Sequence, residues 1–257
     1  MALRDWQSAL GQLVEARSSG RGLGPVLASL EERPLTDEER RGLREVVGTR
    51  GFSLTAEVPR WWRHLRVQRS ARLTLMALRG DADAVLSDYL RAVPCFTLFF
   101  IAEGLSFLEY VARTVTRPHV RPVAELERAL WTLKLAAPAW DGTVREPEPG
   151  AVLERHPAAA CIPFKTSPQA LLGAVLSGAP LAELEPGPHA VLVAPGVPGL
   201  WRPAEPEEAR AFEACDGVTP LDTTGALAGA PVDAVRALLS MGALRFGAGG
   251  GQAVAAR

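Results

Sequence analysis

The chain has 257 residues, of which 47% are hydrophobic and 22% charged, and its formal net charge is −1. This length and composition fit one large globular domain or two modest ones with a buried core. A net charge near zero gives no overall signal for nucleic acid or a membrane surface. Arg4, Asp5 and Glu15 stand where a signal peptide needs an apolar run, so we expect a cytoplasmic protein.

Up to about residue 137 the hydrophobic periodicity predicts helices only. The first helix places four apolar side chains on one face: Trp6, Leu10, Leu13 and Val14. Thr36 is a candidate N-cap for a helix that ends at Gly48. A long helical stretch follows Pro59 and closes at Gly80. Two more helices are predicted in "DADAVLSDYLRAV" and "PVAELERALWTLKLA".

The first of these helices runs into the stretch "YLRAVPCFTLFFIAEGLSFLEYV", which is apolar or small at almost every position from Val93 to Leu108. A spanning helix needs roughly 20 apolar residues without charge. Glu103 interrupts this run, and Arg91 and Glu109 flank it, so we expect no membrane span. Pro94 suits the first turn of a helix, which we therefore expect to begin near that residue. Such a helix either fills the core or offers some of its phenylalanines to a partner.

Periodicity stops at "PAWDGTVREPEPG", which is rich in proline, glycine and charge. We therefore predict a helical domain at 1–137, a linker at 138–150, a small domain at 151–246 and a flexible tail at 247–257. The predicted class is α+β, an all-helical domain followed by a small α/β domain. The element order suits a winged-helix-like module or another small α/β layer, and periodicity does not choose between them.

Within the small domain, "AAACIPFK" predicts a strand, and "SPQALLGAVLSG" predicts a helix with Ser167 as N-cap and Gly178 as its stop. "HAVLVAPGVPGLWRPA" predicts two strands joined by a turn. A helix begins near Pro206. Two short helical segments and a last strand are predicted in "TTGALAGAPVDAVRALLSMGALRF".

Few side chains suggest catalysis. The four histidines are isolated, and the three cysteines form no CxxC pair, so neither a zinc site nor a disulfide framework is indicated. Cys95 and Cys161 lie in apolar surroundings, where a thiol acts as a small buried hydrophobe. No nucleophile elbow, phosphate loop or dinucleotide fingerprint is present. We therefore predict no catalytic residue, metal ligand or cofactor in this chain.

Arginines recur every third residue along the helix after Pro59, beside two tryptophans and a histidine: Arg60, Trp61, Trp62, Arg63, His64, Arg66, Arg69 and Arg72. Three-residue spacing winds around a helix, so these arginines do not share one face. One interpretation is a surface for an acidic partner or nucleic acid, anchored by the tryptophans. The other is a solvated helix whose tryptophans lie in the core.

Charge differs between the two parts. From residue 138 onward the chain holds 8 Lys/Arg and 13 Asp/Glu, whereas residues 1–137 hold 20 and 16. A DNA-reading winged helix is normally basic. The acidic second part therefore favours another ligand, such as a peptide added as a strand to a sheet edge.

The chain also resembles a known family over most of residues 60–245. The pattern is a tyrosine and leucine, a proline a few residues on, and a Gly-x-x-Phe in the next helix, found here as Tyr89, Leu90, Pro94, Gly104 and Phe107. The second part, with "RHPAAACIPF", "SGAP" and a hairpin closed by Trp201, is similar to the family as well. The family, once described as DNA-binding, comprises partner subunits of multinuclear non-haem iron-dependent oxidases in ribosomal peptide natural-product maturation, the methanobactin pathway among them.

The resemblance implies a non-catalytic subunit that forms a heterodimer with a barrel-type oxidase, which would hold the iron. The resemblance also implies that the small domain is winged-helix-like. This domain would bind the leader segment of a precursor peptide and present its core cysteine to the oxidase. The expected peptide-binding residues are Ala160, Cys161, Ile162, Pro163, Phe164, Val191, Leu192 and Val193. The expected partner-binding residues of the helical domain are Arg63, Arg66, Phe99, Phe100, Glu103 and Phe107. The alternatives are a nucleic-acid-binding regulator and a stand-alone enzyme.

Overall fold

The computed structural model describes residues 3–94, 99–136, 142, 146–181 and 184–247. The α-helices of this part are α1 (Leu3–Ser18), α2 (Gly24–Ser29), α3 (Asp37–Val47), α4 (Arg50–Ser70), α5 (Arg72–Leu78), α6 (Ala82–Ala92), α7 (Phe100–Thr114), α8 (Val120–Leu135), α9 (Pro168–Ser177), α10 (Pro206–Ala214) and α11 (Val232–Ser240). Its strands are β1 (Leu153–Arg155), β2 (Ala160–Thr166), β3 (Pro186–Val193), β4 (Trp201–Ala204) and β5 (Leu244–Phe246). Helices with a few antiparallel strands confirm the α+β class, whereas the winged-helix-like detail stays a prediction.

The chain divides into two compact units, Met1–Tyr110 and Val111–Arg257, here called the first and the second unit. This division falls inside α7, earlier than the predicted linker, because α8 packs on β2 and β3 of the second unit. Much of the predicted linker, at 138–141 and 143–145, lies outside the described residues, as does the tail from 248 onward. The predicted domain bounds stay a prediction.

The first unit has a core between α1, α3 and α4. Leu13 of α1, Leu43 of α3 and Phe52 of α4 are all buried there. The predicted apolar face of α1 does turn to this core, and its innermost line is Ala9, Leu13 and Ala16. These residues are spaced four and three apart, as one face of a helix requires.

The start of α3 was predicted correctly from its capping residues. The Thr36 hydroxyl accepts a hydrogen bond from the Glu39 N–H at 3.2 Å, and the Glu39 carboxylate accepts one from the Thr36 N–H at 2.8 Å. This reciprocal pair is a capping box, which satisfies two N–H groups that the helix itself leaves without partners.

The helix expected after Pro59 begins earlier, so that prediction is wrong. Thr49 is the N-cap of α4, since its hydroxyl accepts a hydrogen bond from the Phe52 N–H at 3.1 Å. Pro59 lies inside the helix, although an interior proline costs about 3 kcal/mol. Packing offsets that cost, because buried residues of α4 lie on both sides of it, among them Phe52 and Val67. The helix ends at Ser70, since Ala71 leaves helical geometry with φ −127° and ψ 39°.

The second half of the long apolar stretch lies in α7, which begins at Phe100 rather than near Pro94, and its first residues end α6. Residues 95–98, including Cys95, lie outside the described residues. Nowhere in the described ranges is a helix both long and apolar enough to cross a membrane. Gly104 of α7 lies against Ser70 of α4 so closely that a Cβ on Gly104 would stand 2.0 Å from the Ser70 Oγ.

The second unit contains a three-stranded antiparallel sheet in the order β2-β3-β4 and a separate pair, β1 with β5. Helix α9 is capped as predicted, with Ser167 at its start and Gly178 in the left-handed conformation at its end. The predicted strands β2, β3 and β4 and the helix α10 are present. A second core packs α10 and α11 on this sheet through residues such as Leu192, Phe212 and Leu238.

Two short helical segments were predicted in residues 223–246, and one of them is absent, so that prediction is wrong. The Asp222 carboxylate accepts hydrogen bonds from the N–H groups of Thr224 and Ala226 at 2.8 and 3.0 Å. Aspartate side chains that bind nearby N–H groups in this way favour turns over helices. Only α11 is helical in this stretch.

We expect the close approach of α4 and α7 to limit residue 104 to glycine. Gly104→Ala overpacks the contact with Ser70 and should lower the free energy of unfolding by about 1–3 kcal/mol, measured by urea denaturation. The double variant Ser70→Gly/Gly104→Ala removes the clashing atoms and should recover part of the loss. No difference between Gly104→Ala and the unchanged protein would contradict this packing.

Candidate functional site

The strand β2 forms one edge of the three-stranded sheet. Within the described ranges it pairs with β3 alone, from Ala160 opposite Val193 to Phe164 opposite His189. The other edge strand, β4, has four residues, whereas β2 has seven. An edge strand carries a row of N–H and C=O groups that another chain can pair with. The edge of β2 is therefore the longer candidate site for strand addition in this sheet.

The two prolines of the sheet show which groups point outward. A proline nitrogen cannot donate, so a proline in an edge strand turns its nitrogen away from the neighbouring strand. Pro163 of β2 pairs with Ala190, and Pro203 of β4 pairs with Val191. Neighbouring residues of β3 bond to opposite sides, so both prolines fit the same alternation and both face outward.

This alternation sets what the β2 edge offers. The N–H and C=O of one residue in an antiparallel strand point to the same side, so Cys161 and Pro163 direct their backbone groups to the free edge. Cys161 offers a donor and an acceptor, while Pro163 offers only its carbonyl. The missing donor weakens pairing at the middle of the edge, which is a known protection against aggregation.

The expected peptide-binding residues take different places around this edge. Ile162 and Phe164 are buried, so their side chains hold the strand on the core, and Pro163 is exposed. Ala160 and Cys161 are half-buried. Three others lie in the central strand β3, are buried and have neighbours on both sides, so their backbone groups are already paired: Val191, Leu192 and Val193. Those three hold β2 in place, and their contact with a peptide stays a prediction.

A groove of about 390 Å³ lies beside the second half of β2, and it is lined by Thr116, Arg117, Pro118, Arg121, Pro122, Glu125, Pro163, Phe164 and Lys165. Three of its side chains are cationic, Arg117, Arg121 and Lys165, and one is anionic. That anion, Glu125, accepts from the Arg121 Nε at 2.9 Å. The groove is thus net positive in a unit whose residues from 138 onward are net acidic. Sequence reasoning missed it because α8 and β2 are distant in the chain and no spacing links them.

Burial favours the neutral forms of Cys161, Cys215 and His156. Burial raises the pKa of the Cys161 thiol to about 11, and Glu213 and Glu208 add to the shift. Burial also raises the pKa of Cys215, whose Sγ lies 3.2 Å from the Leu153 carbonyl oxygen. Burial lowers the pKa of His156. Within the described ranges, no three His, Cys, Asp or Glu side chains converge as a metal site would require.

The first unit contains a buried ionic cluster formed by Arg63, Tyr89 and Glu103. Arg63 is 2% exposed and Glu103 is fully buried. The Arg63 Nε donates to the Glu103 Oε1 at 2.9 Å, and the Tyr89 hydroxyl donates to the same oxygen at 2.8 Å. The other oxygen, Oε2, has no hydrogen-bond donor in the described part of the chain, and Arg66 Nη1 lies 3.7 Å away as a charge partner.

Arg63 also closes the end of α6. Its Nη1 and Nη2 donate to the carbonyl oxygens of Leu90 and Val93 at 3.3 and 2.9 Å. The last carbonyl groups of a helix have no hydrogen-bond donor within the helix, so a buried guanidinium at that end supplies the missing hydrogen bonds. Burial would lower the pKa of Arg63, but the hydrogen bond and charge of Glu103 outweigh it and raise the pKa. Burial raises the pKa of Tyr89 far above its usual range, so its hydroxyl remains a donor.

This cluster changes the role of several expected partner-binding residues. Arg63, Glu103 and Phe107 are buried, so they hold the unit together instead of forming its surface. Arg66 is half-buried, whereas Phe99 and Phe100 are exposed by 77% and 45% and stay predicted contacts. The sequence did not predict that Arg63 is buried, because the three-residue spacing of the arginines does not indicate which of them pairs with a carboxylate on another helix.

No protein-family model matches this sequence, and no curated protein matches it either.

We expect Glu103→Ala to destabilise the protein strongly, because it leaves the buried Arg63 charge without its carboxylate. The free energy of unfolding, measured by urea denaturation, should fall by about 3–5 kcal/mol. Glu109→Ala removes an exposed carboxylate from the same helix and should change stability by less than about 0.5 kcal/mol. The double variant Arg63→Met/Glu103→Leu, which removes both charges, should recover most of the loss. Equal effects of the two alanine variants would contradict this account.

We expect Pro163→Val to promote self-association of the protein through the β2 edge. The new N–H faces outward and completes the row of donors, so two copies can pair through their edges. Sedimentation velocity should show self-association several-fold stronger than for the unchanged protein, since each added hydrogen bond contributes about 0.5–1.5 kcal/mol. Pro198→Ala, in the exposed turn before β4, is the matched control. A monomeric Pro163→Val variant at all concentrations would count against an outward-facing residue 163.

Proposed function

We propose that this chain is a peptide-binding partner subunit that captures a precursor peptide by strand addition at the β2 edge. The observation that carries the proposal is a seven-residue edge strand, paired on one side, with a net-positive groove beside it. Strand addition draws its affinity from backbone hydrogen bonds and its specificity from side-chain pockets next to the strand. The β2 edge supplies the first and the groove the second.

The arrangement suits a ligand that the protein holds without reacting with it. Ile162 and Phe164 anchor β2 to the core, so the edge is already in its binding geometry. The protein therefore loses little conformational entropy when a peptide binds. The Cys161 thiol is protonated at neutral pH and is a poor nucleophile, since the thiolate is the reactive form. The cationic groove favours a leader segment that carries an acidic side chain near the paired stretch.

The remaining parts of the proposal rest on the family resemblance. The partner is a barrel-type iron-dependent oxidase, which holds the iron and forms a heterodimer with this chain. The peptide's core cysteine is the group that the oxidase modifies, and this chain contributes no catalytic residue. We propose a winged-helix-like fold for the second unit, which the antiparallel sheet with α9 between its first two strands supports.

The strand-addition proposal is tested best by modifying the peptide, because the protein then stays unchanged. The probes are fluorescein-labelled peptides made from short Cys-containing reading frames beside the gene, titrated with the full chain. Two versions of a binding peptide carry N-methyl groups at alternate residues, one set odd and the other even. Only one set faces β2, so that set should weaken binding about tenfold or more, through the loss of backbone hydrogen bonds of about 0.5–1.5 kcal/mol each.

The other N-methyl set is the matched control and should bind within about twofold of the parent peptide. Equal weakening by both sets, or by neither, contradicts strand addition. Lys165→Glu should weaken peptides with an acidic residue near the paired stretch and leave their alanine versions unaffected. The oxidase partnership has a separate test: the two proteins, expressed together with the peptide, should elute as one complex, and separate elution contradicts it.

A further inference from the structure

Helix α4 of the first unit exposes a row of large apolar side chains. Leu54, Val58 and Trp61 are exposed by 53%, 53% and 58%, and Trp62 by 46%. We call these four residues the α4 stripe. At 100° per residue they fall within about 100° of arc on one side of the helix. Monomeric proteins rarely leave such a continuous patch uncovered, and one that persists marks an interaction surface.

The spacing of the stripe is that of a helix-pairing seam. Leu54, Val58 and Trp61 are four and three residues apart, and the half-exposed Leu65 continues the series. Apolar residues alternating at three and four positions meet a second helix along its length. The rings of Trp61 and Trp62 are in edge-to-face contact, with centroids 4.8 Å apart, and so form one aromatic surface.

The opposite face of α4 is buried in the unit and keeps the stripe at the surface. Phe52, Ala56, Arg63 and Val67 are buried and lie about half a turn away from the stripe. Arg63 is held by Glu103, so rotating α4 to bury the tryptophans would expose the ionic cluster. The sequence-based alternative that both tryptophans lie in the core is therefore wrong.

Positive charge brackets the stripe at both ends. Arg50 is the first residue of α4 and Arg69 its last residue but one, and both are exposed. No salt bridge or side-chain hydrogen bond engages either of them within the described ranges. Along the stripe, Glu57 is the one acidic residue of α4. The surface thus combines an apolar seam with a net positive border.

We propose that the α4 stripe docks an amphipathic helix of a protein partner, with carboxylates at both ends of its apolar face. The apolar side chains of that helix cover the stripe, and its carboxylates meet Arg50 and Arg69. A second copy of this chain does not fit, because parallel and antiparallel pairing both bring arginines to the same level at each end. Within a Debye length of about 8–10 Å those charges repel.

An anionic lipid surface fits less well. Peripheral membrane helices insert an apolar face whose depth and angle adjust to the bilayer. The stripe belongs to a helix locked in place by Arg63, so its apolar face cannot adjust in this way. This inference does not depend on the proposed peptide binding, which takes place at β2 of the second unit.

The test uses two synthetic helical peptides of about 20 residues with leucine at heptad positions. One carries glutamate at both ends of the leucine face, and the other carries lysine there. Each is titrated into the full chain, with peptide anisotropy and tryptophan emission as readouts. We expect the glutamate peptide to bind at least tenfold more tightly and to shift tryptophan emission to shorter wavelength.

Two variants separate the apolar and charged parts of the surface. Trp61→Gln/Trp62→Gln should weaken the glutamate peptide at least tenfold, and Arg50→Glu/Arg69→Glu should reverse the preference toward the lysine peptide. The matched control is Leu176→Gln/Val218→Gln, which removes two exposed apolar side chains of the second unit and should leave both affinities unchanged. The β2 peptide probe should bind all of these variants equally, so the two proposals fail separately.

Four outcomes would overturn the inference. They are equal binding of the two peptides, binding of neither, a glutamate-peptide affinity unaffected by the tryptophan changes, and stripe-dependent self-association in sedimentation. Vesicles of phosphatidylserine and phosphatidylcholine and a short DNA duplex are further arms. Tighter, tryptophan-dependent binding to either of those would assign the stripe to a lipid surface or to nucleic acid instead.

Discussion

The salt bridge between Arg63 and Glu103 is the interaction on which the first unit depends. One guanidinium binds the carboxylate of α7 and two carbonyl oxygens at the end of α6. Buried charges are expensive, and they persist only where each has a close partner. Because Arg63 lies in the middle of α4, this need also fixes the rotation of that helix. The tryptophans on the other side of α4 are exposed as a consequence. The pairing of a buried charge in the core therefore determines which apolar side chains lie at the surface.

A backbone constraint has the same importance in the second unit. The alternation of hydrogen bonds across β3 leaves Pro163 and Pro203 no orientation except outward. At Pro163 this costs the edge one donor but keeps its carbonyls available. Unwanted pairing between copies is weakened, while a ligand that does not need that donor still finds the neighbouring groups of Cys161. In the proposed function, the residue that protects the edge therefore also restricts which peptides bind to it.

Local signals predicted much of the fold. The capping box at Thr36, the Ser167 and Gly178 caps of α9 and the strands on either side of the 195–199 turn depend on neighbouring residues, which the sequence displays directly. The start of α4 was missed because proline usually begins a helix, and here tertiary packing outweighs that preference. The pairing of Arg63 with Glu103 and the groove between α8 and β2 join residues far apart in the chain. Periodicity carries no information about such contacts, so these features emerged only from the structure.

The two candidate surfaces differ in the kind of selectivity that they permit. A strand edge recognises mainly backbone, which every peptide shares, so it tolerates variation in sequence and relies on a neighbouring pocket for preference. A side-chain seam such as the α4 stripe requires particular residues at particular spacings and rejects partners of the wrong charge. In the proposed function, the tolerant edge suits a variable peptide substrate, and the selective seam suits one constant protein partner. A subunit that brings a substrate to a separate enzyme needs one surface of each kind.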